Sequence, residues 1–248
     1  AGDIRGMFCA REGNIIIGSD YSQIEVRVTA SFSKDPTMLH AYETGEDLYS
    51  KMASEIHGLP YEACMEFNPI TGELQKEGKK LRSNTKSILL GLLYGRQAKS
   101  IGEQINVSEK EAQELVDSFF KSFPKIKELD KITKLGASQN GYITTICGRK
   151  RRLPDIKSRD RWSKARAERQ CLNAMIQGSS ADCMKLAMIS IHNNKRLREL
   201  NAKLVLTVHD EVEIECPVEH AKEVADIMTT IMKDIGENLF NIKMKCDE

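Results

Sequence analysis

The sequence predicts an α+β fold in which a small antiparallel sheet accompanies a larger number of helices. Three features support this prediction. The run Ile15–Ile17, closed by Gly18-Ser19, is typical of a fully buried strand. Residues 203–208 form an apolar, β-branched run and residues 212–216 alternate between apolar and polar, which is typical of the two arms of a β-hairpin. Most of the chain between these segments has apolar residues at helical spacing.

The composition is that of an ordinary globular protein with a core. The 248 residues are 40% hydrophobic and 29% charged, which is enough for one large domain or two modest ones. No apolar run is as long as a membrane span and no secretory leader opens the chain, so we expect no membrane partner. The seven cysteines contain no C-x-x-C pair, which indicates reduced thiols and a cytoplasmic location.

Asp20 stands at the predicted end of the first strand. After it, the spacing of the apolar residues changes from that of a strand to that of a helix. Ile24 and Val28 then share one helix face, and Gln23 and Arg27 begin a polar stripe beside it. A carboxylate at the end of a buried strand is costly unless it meets a cation. The same residue also suits a helix cap, and the sequence alone leaves both interpretations open.

Start and stop signals divide the region after residue 33 into helices. Pro in a first turn, a Gly-Pro stop and a capping box mark the boundaries. The predicted segments are a helix from Asp35-Pro36, a helix over 48–56, an exposed loop or hairpin at 68–73, a helix from Ser108 to about Ser122, and a helix over 125–138.

A helix over 79–94 carries the most informative face. Arg82, Lys86, Leu90 and Tyr94 are spaced by four and share that face. Two cations could contact the phosphates of a nucleoside triphosphate, and the apolar end could contact its base or sugar. Taken alone, the residues fit a basic amphipathic helix with a core aromatic better.

A second hairpin and a long helix follow. Residues 142–146 and 148–152 predict the two arms of the hairpin. Residues 161–197 are mostly helical in pattern, with an interruption at Gly178-Ser179-Ser180. On that helix Arg169, Asn173 and Gln177 are spaced by four and present donors for a sugar-phosphate backbone or base edges. A polar surface stripe explains them equally well.

The net charge of +1 does not indicate a nucleic-acid binder, but the distribution of charge is uneven. Residues 149–169 contain ten Lys or Arg against three Asp or Glu. This excess could contact phosphates. A charge run considered alone is more often a solvated face.

The tip of the 203–216 hairpin is acidic. His209-Asp210-Glu211 occupies it, where Gly or Asn is usual. Asp20 and Asp210, both borne on strands, could converge on Mg²⁺, which takes few protein carboxylates and completes its shell with water and phosphates. The alternative is a solvated hairpin tip. A last helix is predicted over about 218–235.

Together these segments resemble the family A DNA polymerases, the bacterial DNA polymerase I group and its phage relatives. Residues 20–27 resemble motif A, Arg82-x-x-x-Lys86 with Tyr94-Gly95 resembles motif B, and Val208–Glu211 resembles motif C. Residues 141–155 and 173–178 also resemble family segments. The match covers nearly the whole chain in order.

The resemblance implies template-directed DNA synthesis, with nucleotidyl transfer from a dNTP to a primer 3′-hydroxyl. It implies two Mg²⁺ ions bound by Asp20, Asp210 and the Tyr21 carbonyl. The implied catalytic residues are Asp20, Lys86, Asp210 and Glu211. The implied dNTP-binding residues are Gln23, Glu25, Arg82, Lys86, Leu90 and Tyr94. The implied contacts to primer-template DNA are Arg169, Asn173, Gln177 and His209.

The resemblance also implies a domain arrangement. The palm, with an antiparallel sheet carrying the catalytic carboxylates, is expected over 1–33 and 170–248, and mostly helical fingers over 34–169. We expect a monomeric fragment of a longer polymerase, without thumb or exonuclease domains, in a bacterial or phage-infected cytoplasm.

Two positions and one insertion depart from the family pattern. Leu90 replaces a stacking Phe or Tyr, and Tyr49 replaces a His near the phosphates. An insertion around 66–78 suggests a phage or prophage lineage.

Two other functions are compatible with the residues. One is a single-subunit RNA polymerase, which Glu25 disfavours because it would collide with a ribose 2′-hydroxyl. The other is a catalytically silent primer-template-binding fragment.

Overall fold

The structure is a computed structural model that describes residues 6–247. The helices are α1 (Ile24–Ser33), α2 (Pro36–Thr44), α3 (Leu48–His57), α4 (Lys76–Leu93), α5 (Ala98–Ile105), α6 (Glu109–Ser122), α7 (Pro124–Asn140), α8 (Arg161–Asn193), α9 (Lys195–Glu199) and α10 (Ala221–Phe240). The strands are β1 (Asn14–Tyr21), β2 (Tyr142–Thr144), β3 (Lys150–Arg152), β4 (Lys203–Val208), β5 (Glu211–Pro217) and β6 (Cys246–Asp247). These elements confirm the predicted α+β class.

The chain divides into two compact units. The first joins the chain up to Val28 with the chain from Ser179 onward, and the second is Thr29–Gly178. The first unit contains a four-stranded sheet in the order β4-β5-β1-β6, and the second contains the two-stranded sheet β2-β3. Within residues 6–247, no helix is both long and apolar enough to cross a membrane.

The sheet of the first unit is antiparallel, and the predicted 203–216 hairpin forms it together with β1. The prediction that β1 is fully buried is wrong. In the described part of the chain, β6 pairs only with Asp20 and Tyr21, so residues 14–19 lie along an edge of the sheet. Ile15 is 39% exposed as a result.

Helix α10 packs against this sheet and holds β1 in place. The Tyr21 hydroxyl donates a hydrogen bond to the carbonyl of Met232 at 2.6 Å. The helix begins at Ala221, after a short 3₁₀ turn at Val218–His220, and ends at Phe240. It runs five residues beyond the predicted end because Gly236 and Phe240 continue its buried face.

In the second unit the helix start predicted at Asp35-Pro36 and the capping box predicted at Ser108 are both present. The Asp35 carboxylate accepts hydrogen bonds from the backbone N–H groups of Thr37 and Met38 at the start of α2. Ser108 and Glu111 form a reciprocal capping box at the start of α6. Residues 68–73 form the exposed turn of a short hairpin closed by a Phe67–Leu74 bridge.

Helix α8 is continuous for 33 residues, so the predicted break at 178–180 is wrong. Gly178 serves a close approach instead of a turn. A Cβ at that position would lie 2.5 Å from Cγ2 of Thr145. The hairpin β2–β3, α7 and α8 share a small apolar core of Ala137, Ile143, Leu153, Ile156, Ala167 and Cys171.

Candidate active site

Asp20 and Glu211 lie side by side in the first unit. Their Cα atoms are register partners of β1 and β5, and directly opposite residues project from the same sheet face. A Cβ at Gly18 would lie 2.8 Å from Oε1 of Glu211, so the Glu211 carboxylate extends over that glycine. Gly18 therefore leaves room for a second carboxylate beside Asp20.

The β4–β5 turn brings Asp210 to the same end of β1. The backbone N–H of Tyr21 donates to the carbonyl of Asp210 at 3.2 Å. His209, before it in the turn, has a φ of 56°. A non-glycine residue in this left-handed region costs about 1–3 kcal/mol, and such strain is concentrated at functional sites. The backbone thus brings Asp210 to the end of β1, where Asp20 lies opposite Glu211.

Tyr21 can contribute only its backbone to this site, because its side chain is buried. Its side chain is 1% exposed and points into the core. Burial, together with the neighbouring Cys183, raises the pKa of the Tyr21 phenol, which stays protonated and donates to Met232. The Tyr21 carbonyl is therefore the group that could bind a ligand beside Asp20.

The loop after Tyr21 is held by a buried arginine. Arg27 donates from Nε to the Ser22 carbonyl at 2.9 Å and from Nη1 to the Lys243 carbonyl at 2.5 Å. Gln23 adopts a φ of 57°, just before α1, and Glu25 lies in the first turn of that helix. The predicted polar stripe is thus partly structural, because Arg27 is only 8% exposed.

The donor set at the end of β1 fits a hard cation. Among residues 6–247, no group of three or more His, Cys, Asp or Glu side chains could hold a metal ion by itself. Asp20, Asp210 and the Tyr21 carbonyl offer only oxygen donors. Such a partial set suits Mg²⁺, which keeps waters and substrate phosphates in its coordination shell.

In the second unit, α4 presents three of the four nucleotide-binding residues that were predicted on this helix. Arg82, Lys86 and Leu90 lie within the helix, whereas Tyr94 lies just after its last residue. Ile88 and Leu89, on the predicted packing side, are 1% and 0% exposed. Tyr94 is 43% exposed, because the chain leaves the helix through Gly95 with a φ of 69°.

Arg82 has a partner that the sequence did not indicate. Its Nε and Nη2 donate to the two carboxylate oxygens of Asp47, each at 2.9 Å. Burial raises the pKa of the Asp47 carboxyl, but hydrogen bonds from Arg82 and Ser50 outweigh burial and leave the pKa below its ordinary value. Asp47 caps α3, and that local signal was the only one available from sequence.

Tyr49 connects the two cations of α4. Its buried ring lies 5.5 Å from the guanidinium carbon of Arg82 and 5.7 Å from Nζ of Lys86. Both contacts are within cation–π range. The ring therefore supports the two side chains whose spacing on α4 suits a triphosphate.

The predicted DNA-contacting residues of the second unit lie on α8. Arg169 and Asn173 are half-buried and Gln177 is exposed. A Cβ at Gly95 would lie 2.7 Å from Cβ of Arg169. The exit of α4 and the predicted DNA-contacting face of α8 are therefore in direct contact.

The whole chain, residues 1–248, matches the family DNA polymerase family A. DNA polymerase I of Caldicellulosiruptor bescii is 37% identical over 242 residues, which are 97% of this chain and 26% of that protein. The thermostable DNA polymerase I of Thermus aquaticus is 35% identical over 232 residues, 94% of this chain and 26% of that protein. The chain thus spans about a quarter of the length of these relatives.

A solved structure is also similar. The POL domain of Pol1 from M. smegmatis, in complex with DNA primer-template and dNTP, aligns with a TM-score of 0.86 and 31% identity. The alignment covers 98% of this chain and 41% of that one. The sequence resemblance is confirmed at the level of the family, and this chain belongs to DNA polymerase family A.

Proposed function

We propose that this chain carries out template-directed DNA synthesis. The observation that carries the proposal is the backbone arrangement at the end of β1, in a chain of this family. Asp20 lies opposite Glu211, and the Asp210 carbonyl accepts a hydrogen bond from the Tyr21 N–H. The M. smegmatis relative, whose structure contains primer-template and dNTP, supports the same partners here.

The reaction is a displacement at phosphorus. The 3′-oxygen of the primer attacks the α-phosphorus of the dNTP, the bond to the bridging oxygen breaks, and pyrophosphate leaves. Two Mg²⁺ ions, held by Asp20, Asp210 and the Tyr21 carbonyl, would lower the pKa of the primer hydroxyl and offset charge on the triphosphate when bound. Glu211 is an accessory carboxylate beside Asp20.

The proposed dNTP-binding residues are Arg82, Lys86, Leu90 and Tyr94 in the second unit and Gln23 and Glu25 in the first. Arg82 and Lys86 hold the phosphates of the dNTP, and Lys86 gives a proton to the departing pyrophosphate. Gln23, Glu25 and Tyr94 are assigned to the sugar, and Glu25 is assigned the exclusion of a 2′-hydroxyl. Leu90 makes an aliphatic contact with the base, where an aromatic ring would stack on it.

The primer-template contacts Arg169, Asn173, Gln177 and His209 near the primer terminus. Closure of α4 over a correct base pair provides induced-fit selection. The contact between Gly95 and Arg169 supports this, because a shift at the end of α4 must be accommodated at Arg169.

The proposed palm comprises 1–33 and 170–248 and the proposed fingers 34–169. We assign the protein to the cytoplasm of a bacterium or a phage-infected cell, as a monomer. A phage lineage, suggested by the insertion around 66–78, remains a prediction.

Primer extension tests the function. The chain is incubated with a primed DNA template, Mg²⁺ and either deoxy- or ribonucleotides. We expect incorporation of the complementary deoxynucleotide and its loss in Asp20→Ala. Asp234→Ala, an exposed acid on α10, is the matched control and should extend normally. Equal extension by Asp20→Ala and the unmodified chain would overturn the assignment of Asp20.

A further inference from the structure

An exposed tryptophan lies among exposed cations near the start of α8. The basic–tryptophan surface is defined by Arg159, Arg161, Trp162, Lys164 and Arg166, all of which are exposed. Trp162 is 83% exposed, although a tryptophan has much to gain from burial. None of these residues belongs to the proposed reaction.

The fold does not use Trp162 for packing. The small core beneath this region takes Ala167 and Cys171 from α8, together with Leu153 and Ile156. Trp162 precedes Ala167 by five residues, which places it on a different face of the helix. Rings of this kind are enriched at binding interfaces, where an apolar face and a polar tip are both useful.

The cations of this surface are not neutralised within the described structure. In residues 6–247, Arg159, Arg161 and Arg166 have no carboxylate within ion-pair distance, and Lys164 approaches Glu168 only at 4.0 Å. The nearby Asp160 is used by the helix start, where its Oδ2 accepts the N–H of Ser163 at 2.8 Å. Arg166 lies one turn after Trp162 on the same helix face.

We propose that the basic–tryptophan surface binds an unpaired DNA strand, with one base stacked on Trp162 and flanking phosphates on the arginines. Charge complementarity favours a polyanion, and the exposed ring favours one with accessible π-faces. A duplex hides those faces within its stack, and a polypeptide of acidic residues alone has none. The inference rests on the proposed function for its choice of DNA, and adds a site for the single-stranded part of the template.

Binding at this surface can be followed by tryptophan fluorescence. Trp162 is the only tryptophan of the chain, so its fluorescence reports on this position alone. An oligo(dT) of about 12 nucleotides is titrated into the full chain at about 50 and 200 mM salt. We expect saturable quenching of Trp162 that weakens with salt. A blunt duplex should quench less, and poly-glutamate should not quench.

Variants test the stacking independently of fluorescence. With end-labelled oligo(dT) followed by anisotropy, Trp162→Ala should weaken binding about 5- to 100-fold, whereas Trp162→Phe should keep most of the affinity. Arg161→Ala should reduce the steepness of the salt dependence. Lys110→Ala, an exposed cation on α6 outside the surface, is the matched control and should bind like the unmodified chain.

The outcomes separate this inference from the proposed function. Oligo(dT) binding without quenching, equal affinity of Trp162→Ala, or quenching by poly-glutamate as strong as by oligo(dT) would overturn the inference, even if the chain extends primers. Saturable quenching with no primer extension would uphold the inference and contradict the function.

Discussion

Arg82 and Asp47 form a two-point ion pair in which one carboxylate both binds the guanidinium and caps α3. The pair joins α4 to the start of α3 across 35 residues of sequence. Both side chains are only about a quarter exposed, at 27% and 26%, so solvent screens the pair less than a surface pair. The residue proposed to bind phosphate is therefore already held in place by the protein.

We expect Asp47→Asn to destabilise the protein by about 1–2 kcal/mol, because a charged two-point hydrogen bond is lost while the helix cap is kept. A double-mutant cycle with Arg82→Gln, measured by urea unfolding, should give a coupling of about 1 kcal/mol at neutral pH. Because the folded-state pKa of Asp47 is lowered, this coupling should be complete above the ordinary value of 3.8 and should fall at lower pH. If the effects of the two single substitutions on the free energy of unfolding simply add in the double mutant, the pairing is refuted.

The contact between Gly178 and Thr145 gives a second prediction. Gly178→Ala would place a methyl group 2.5 Å from Cγ2 of Thr145, so we expect a net loss of about 1–2 kcal/mol despite the better helix propensity of alanine. Thr145→Ser removes that methyl group and keeps the hydroxyl that accepts the Arg149 N–H. In the Thr145→Ser background, Gly178→Ala should be neutral or stabilising in thermal unfolding. The same loss in both backgrounds would show that this contact does not require the glycine.

Glu215 should make the stability of the first unit depend on pH in the acidic range. Hydrogen bonds from Arg11 and Asn14 lower the pKa of Glu215 from 4.5 to about 2. A lowered folded-state pKa means that the stabilisation is complete above the unfolded value and is lost as the pH falls toward 2. The difference in unfolding free energy between the unmodified chain and Glu215→Gln should therefore be constant above about pH 5 and shrink below it. A difference that does not change between these pH values would contradict the role of the carboxylate.

Glu25 should determine which sugar is accepted. If its carboxylate excludes a 2′-hydroxyl, Glu25→Ala should raise ribonucleotide incorporation on the order of 10- to 100-fold while deoxynucleotide incorporation changes less. The measurement is the ratio of kcat/KM for a dNTP and its ribonucleotide on one primed template. Glu43→Ala, an exposed acid on α2, is the control. An unchanged ratio would remove Glu25 from sugar selection.

Features encoded locally could be predicted from the sequence. The helix start at Asp35-Pro36, the capping box at Ser108 and the 203–216 hairpin depend on neighbouring residues, and the structure has them where the sequence predicts them. The sequence also predicts that Asp20 and Asp210 converge, because each follows an apolar strand. The backbone hydrogen bond from Tyr21 to Asp210 is consistent with that prediction, and the convergence of the two side chains on Mg²⁺ stays a prediction.

Features that depend on distant residues could not be predicted. Gly178 resembles a helix stop until the position of Thr145 is known. Ile15 resembles a core residue, but its exposure depends on how far β6 extends along β1. The pairing of Asp47 with Arg82 has no local signal beyond a helix cap.

The most direct test of the account is Asp210→Ala, assayed in parallel for primer extension with Mg²⁺ and for binding of primer-template DNA. Asp226→Ala, an exposed acid of α10, serves as the control. We expect the Asp210 variant to lose extension while its DNA binding survives or strengthens, because a carboxylate that repels phosphates has been removed. Extension at the normal rate, or loss of extension and DNA binding together, would contradict the proposed role of Asp210 in the reaction.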